Sequence, residues 1–131
     1  MTAPNRPAAS LRTLHLIRLS IFGGALLFGI VTWWLRRQTP PPMDMGMGPL
    51  RFVGYALWVS VLVALAFLRG LFGKATDAAR RTTLLIISWA AAETLALFGG
   101  VVWYLHGDSR WYVAGMCFML ATFILFPLTR E

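Results

Sequence analysis

Charge is what this 131-residue chain has least of: charged side chains are 13% of it, and only five residues are acidic. A soluble domain carries about 25% charge and roughly 45–50% apolar residues. Here the apolar share is 58%, which leaves too little polar surface to coat a water-soluble globule. The length suits one ordinary domain and not two. Cysteine is almost absent as well. The single Cys117 excludes an intrachain disulfide and, lying inside an apolar run, gives no reading of redox compartment. Catalytic signatures are missing too: there is no GxSxG, Walker loop, HExxH or Cys/His pair. No catalytic residue and no cofactor are therefore expected. His15 and His106 stand alone at opposite ends of apolar runs, so they cannot ligate one haem together.

Four apolar runs account for the composition, at about residues 15–35, 50–68, 83–105 and 111–127, bounded by Arg, Lys, Pro or Gly. Runs of roughly 17–23 residues, at about 1.5 Å rise each, cross a hydrocarbon core of about 30 Å with modest tilt or thinning. No run alternates as barrel strands do, and four short strands could not close a barrel. The expected fold is an all-α membrane protein, a bundle of four transmembrane helices. Residues 1–14, with Pro4, Pro7 and Arg12, read as a disordered cytoplasmic tail. The first run has no A-x-A-like site after it, so it is expected to stay as a signal anchor.

The net charge of +7 comes from 12 basic and 5 acidic residues. The bases sit at the ends of apolar runs, where they set topology and meet anionic headgroups, so the lipid bilayer is the expected partner and nucleic acid is not. One side carries Arg6, Arg12, Arg18, Arg69, Lys74, Arg80, Arg81 and Arg130, and the other Arg36, Arg37, Arg51 and Arg110. The positive-inside rule then places both termini and the 70–81 loop in the cytoplasm, with a bacterial inner membrane as the expected location. The Arg36–Arg37 pair pulls against that orientation. Trp33, Trp34, Trp103, Tyr104, Trp111 and Tyr112 fall at run ends on the outer side and read as interface anchors.

A shift of 70 residues superposes LLFGIVTWWL (26–35) on ALFGGVVWYL (96–105), with six of ten positions identical. The match points to two duplicated hairpins related by a pseudo-twofold axis along the membrane normal. Gly29 and Gly99 would then hold equivalent close-packing positions.

Glu93 is the one acid deep in any run. A carboxylate at the bilayer centre costs roughly 2.5–3.5 kcal/mol on insertion scales, so the neutral acid bonded to a hydroxyl or carbonyl is the expected ground state. Ala92, Ala96 and Gly100 form a small-xxx-small stripe beside it, along which a neighbouring helix can approach. Ser60 is the first candidate partner and Thr122 the second. Two roles are open: a proton-binding site, or a neutral hydrogen bond holding helices or subunits together. The stretch AAETLALFG (91–99) resembles the carboxyl-bearing helix of rotary ATP synthase c subunits, the proteolipids. That resemblance implies Glu93 as the ion-carrying carboxyl, and a duplicated four-helix chain resembles the V-type proteolipid.

The outer loop TPPPMDMGMGP (39–49) places Met43, Met45 and Met47 at alternate positions. Thioethers select Cu(I), and His106 and Asp108 of the other outer loop could add ligands. The alternative is a Pro-rich spacer. Recognition must then run mainly through helix faces, toward other membrane subunits or further copies of this chain. The expectation is an accessory or scaffolding subunit of a larger membrane complex. A proton-coupled transport protein using Glu93, or a copper-binding protein, are the alternatives.

Overall fold

A computed structural model describes residues 11–40 and 48–126. It holds four helices and, among the described residues, no strand: α1 (Leu11–Gln38), α2 (Gly48–Lys74), α3 (Ala78–His106) and α4 (Arg110–Leu125). Lipid offers backbone groups no partner, so a helix, which satisfies its own, is the form apolar runs of this length take. The boundaries follow local chemistry. Pro49 sits in the first turn of α2, where its missing N–H is no loss. Asp77 caps α3, accepting from the Ala79 N–H at 3.2 Å. Gly107 ends that helix in the left-handed region at φ 76° and donates to the Trp103 carbonyl, a conformation that favours glycine. Ahead of α4, Asp108 Oδ1 accepts from the Arg110 N–H at 3.0 Å.

α1, α2 and α3 are long and apolar enough to cross a membrane, which makes the chain an integral membrane protein by length and composition. α4 differs from expectation. It has 16 residues, and at about 1.5 Å each it covers about 24 Å, short of a typical hydrocarbon core. The other helices overrun their apolar runs at both ends, because hydropathy marks only the hydrocarbon slab whereas backbone hydrogen bonding continues beyond it. Residues 11–14, expected in the disordered tail, form the first turn of α1, and Leu14 is buried.

α3 is the hub. Half of its apolar window is buried, against 17% for α1 and 11% for α2. α4 packs along α3 with backbone touching backbone. A Cβ on Gly99 would sit among the main-chain atoms of Trp111 and Tyr112, and one on Gly115 would meet the main chain of Ala96 and Leu95 at 2.7 Å. Ala92 and Ala96 are fully buried in the core, which gathers Trp89, Leu95, Met119, Phe123 and Phe126 around them. α2 reaches the pair through ring contacts, Trp58 on Phe118 at 5.1 Å and Phe72 on Phe126 at 5.8 Å. Arg69 of α2 donates to the Leu125 carbonyl, closing the C-terminal end of α4 with a cation.

α1 and α3 run side by side in the same direction. Phe28 packs on Gly100 and Gly24 lies beside Glu93, close to the 70-residue offset of the internal repeat. The two halves are nonetheless packed differently. α3 and α4 form a close hairpin, while α1 and α2 each lie against α3 and, among the described residues, hardly touch one another. Chain length supplies the reason: three residues join α3 to α4, and nine, 39–47, separate α1 from α2.

Candidate functional site

Glu93 stands one residue past the midpoint of α3 and half-buried on the face toward α1. Gly24 of α1 lies beside it: a Cβ there would be 3.8 Å from Glu93 Oε1. Among the described residues no Lys or Arg lies within ion-pair distance of the acid. Gly24 brings no side chain to the carboxyl, and a Cβ at Gly23 would meet nothing within 4 Å.

The two hydroxyls expected to serve Glu93 are engaged elsewhere. Ser60 Oγ donates to the Ala56 carbonyl at 2.7 Å on an exposed face of α2, and Thr122 Oγ1 donates to the Phe118 carbonyl at 2.9 Å. A helical Ser or Thr finds the carbonyl one turn back before any partner across a bundle. Thr32, Ser88 and Thr94 bond in the same way.

The small residues receive aromatic rings or the backbone of the neighbouring helix. Gly29 and Gly99, equivalent in the repeat, both receive the first turn of α4: Gly29 the Tyr112 phenol, Gly99 the backbone beneath it. Gly100 takes the Phe28 ring. Tyr112, expected at the interface, is buried, and its hydroxyl donates to the Ala25 carbonyl of α1 at 2.8 Å. It ties α4 to α1 across the bundle. Tyr112→Phe keeps the ring and loses that bond, so stability in a lipid-like medium is expected to fall by about 0.5–1.5 kcal/mol, read from detergent unfolding. A loss above that range would mean the ring itself had moved.

The six aromatics at the run ends divide by environment. Trp33, Trp34 and Tyr104 are exposed, and Arg37 and Arg36 cover the rings of Trp33 and Tyr104 at 4.1 and 5.0 Å. Trp103 and Trp111 turn partly inward. Trp103 lies 5.5 Å from Tyr112, and Trp111 packs between Tyr55 at 5.4 Å and Phe98 at 6.0 Å. Met43, Met45 and Met47 lie outside the described residues. His106 keeps a buried Nε2 without a hydrogen-bond partner, while Asp108 is engaged with the start of α4. The described residues contain no cluster of three or more His, Cys, Asp or Glu able to hold a metal.

Sequence reasoning missed Gly24 and the inward use of Tyr112. The signal for the first was present: the 70-residue offset puts Gly23, one residue away, opposite Glu93. No protein-family model, curated protein or solved structure matches this chain.

Proposed function

We propose that this chain is a small integral-membrane subunit of a larger membrane complex, acting by helix-face contact and performing no bond chemistry itself. The supporting observation is how little polypeptide lies between the helices, with connections of three residues at 75–77 and 107–109. Recognition is left to the sides of the helices. α1 and α2 offer the broadest surfaces, with Leu19, Leu27, Ile30, Phe52, Val63 and Phe67 all exposed. The distribution of basic residues favours both termini in the cytoplasm, and a bacterial inner membrane is the location we assign. Extraction in mild detergent, followed by native-gel mass and mass spectrometry of co-migrating chains, tests the reading. Fixed stoichiometry with other subunits is the expected outcome, and a homogeneous oligomer of this chain alone overturns it.

A second reading, a proton-carrying or proteolipid-like transport protein, draws support from one contact: the mid-membrane carboxyl of Glu93 facing Gly24. Glu93→Gln separates the two. Glutamine keeps size and hydrogen bonding, so the accessory reading expects unchanged assembly and stability within about 0.5 kcal/mol. The transport reading expects proton flux into reconstituted vesicles to fall to background and pH-dependent carbodiimide labelling to vanish. Normal flux in the Gln variant removes the transport reading.

A further inference from the structure

We propose that the groove between α1 and α4, at the N-terminal end of α1, is a binding site for an anionic phospholipid, whose phosphate is held by Arg18 and His15. The groove has a volume of about 270 Å³ and is walled by Leu19, Phe22, Leu120 and Phe123 beside the two basic side chains. Arg18 lies six residues before Gly24, which faces Glu93 near the middle of α3. At about 1.5 Å per residue its backbone is about 9 Å from that level, inside a hydrocarbon half-thickness of about 15 Å. A guanidinium at that depth must reach back toward the headgroups for a counter-charge.

Among the described residues no carboxylate lies within ion-pair distance of Arg18. The Phe123 ring lies 4.8 Å from the guanidinium carbon and covers one face of the fork. Its N–H edge stays available to two oxygens of a phosphate diester, the geometry a planar fork matches best. His15 stands three residues earlier on the same side of α1 and can donate to the same group.

The wall residues set the choice of ligand. Leu19, Phe22 and Leu120 lie deeper along their helices than Arg18 and Phe123, so the groove is cationic at its mouth and apolar below. A phospholipid has that same order of polarity, phosphate above and acyl chain beneath. Basic pockets between helices at a membrane surface recognise lipid headgroups in this way.

Native mass spectrometry of the purified full chain in detergent, with added phosphatidylglycerol or phosphatidylcholine, tests the site. Wild type is expected to retain one phosphatidylglycerol and no phosphatidylcholine. Arg18→Gln is expected to weaken retention about fivefold, the effect of one basic contact at a membrane surface. Arg80→Gln, at the start of α3 and outside the groove, is expected to leave it unchanged. Leu120→Trp fills the apolar wall with every charge intact and is also expected to release the lipid. This second variant keeps the test open should Arg18→Gln fold poorly. Equal losses in Arg18→Gln and Arg80→Gln, or none in Arg18→Gln, overturn the proposal. So does release by millimolar inorganic phosphate with unaltered binding to Leu120→Trp, which would make the ligand a free phosphate.

Discussion

Gly99→Ala is expected to force α4 away from α3 and lower the unfolding free energy by about 3 kcal/mol, the upper end of the cost of overpacking. The atoms in the way are the main chain of Trp111 and Tyr112, which cannot rotate aside as a side-chain tip could. Without a hydrophobic force between helices in lipid, association depends on such close approach and the dispersion it brings. Gly115→Ala should behave alike, since it abuts the Ala96 and Leu95 backbone. Gly70 is the control: a Cβ there meets nothing within 4 Å, and alanine should raise stability by about 0.5 kcal/mol through helix propensity. Reversible unfolding in mixed detergent–SDS micelles, followed by tryptophan fluorescence, reads all three. Equal effects at Gly99 and Gly70 would refute backbone contact as the basis of the hairpin.

The second large effect is expected at Trp89, which is fully buried and packs edge-on against Phe123 at 5.8 Å. Trp89→Ala opens a cavity that neighbouring helices cannot close. In water such a truncation costs about 3–5 kcal/mol. Here the transfer part shrinks because lipid is as apolar as the core, so a loss of about 3 kcal/mol is expected, chiefly from lost packing. Trp89→Phe should cost less than half of that. It removes volume, but it also removes an indole N–H that is buried without a hydrogen-bond partner, and such a group is itself unfavourable by about 1–3 kcal/mol. If Phe proves as damaging as Ala, the indole has a partner and the accounting fails.

How much of this was legible beforehand depends on the kind of signal. Hydropathy located three membrane-length helices, because the cost of burying polar backbone in lipid acts on every residue of a run. It overstated the fourth: the apolar run continues to Pro127, but the helix ends at Leu125, where the Phe126 N–H closes on the Thr122 carbonyl. Gly99 and Gly29 could be singled out by their repeat, yet nothing in their spacing said that Trp111 and Tyr112 would fill them. That follows from the three-residue turn after His106, which draws the first turn of α4 down against Gly99. Ser60 looked like a partner for Glu93 because it lies near the middle of its own run, and Thr122 because it is a hydroxyl within a neighbouring apolar run. Depth is one coordinate, and azimuth around each helix is another that an apolar sequence scarcely encodes. The nearly uniform hydrophobicity of α3 and α4 hides which face turns inward. Arg18 was read as a topology signal, and only its place beside Phe123 and the groove gave it a separate chemistry.

The unequal helix lengths have a mechanical consequence. α1, α2 and α3 run 28, 27 and 29 residues, whereas α4 runs 16. A belt of about 24 Å beside α4 falls about 6 Å short of a hydrocarbon core of about 30 Å. Lipid next to α4 must shorten to match it, while lipid around α1 and α2 need not, at a fraction of a kcal/mol per ångström. The molecule therefore acts on its surroundings as a lopsided spacer. It dimples one side of its lipid annulus, and it will settle with least strain in thinner membranes or beside a neighbour whose own short helix shares the dimple.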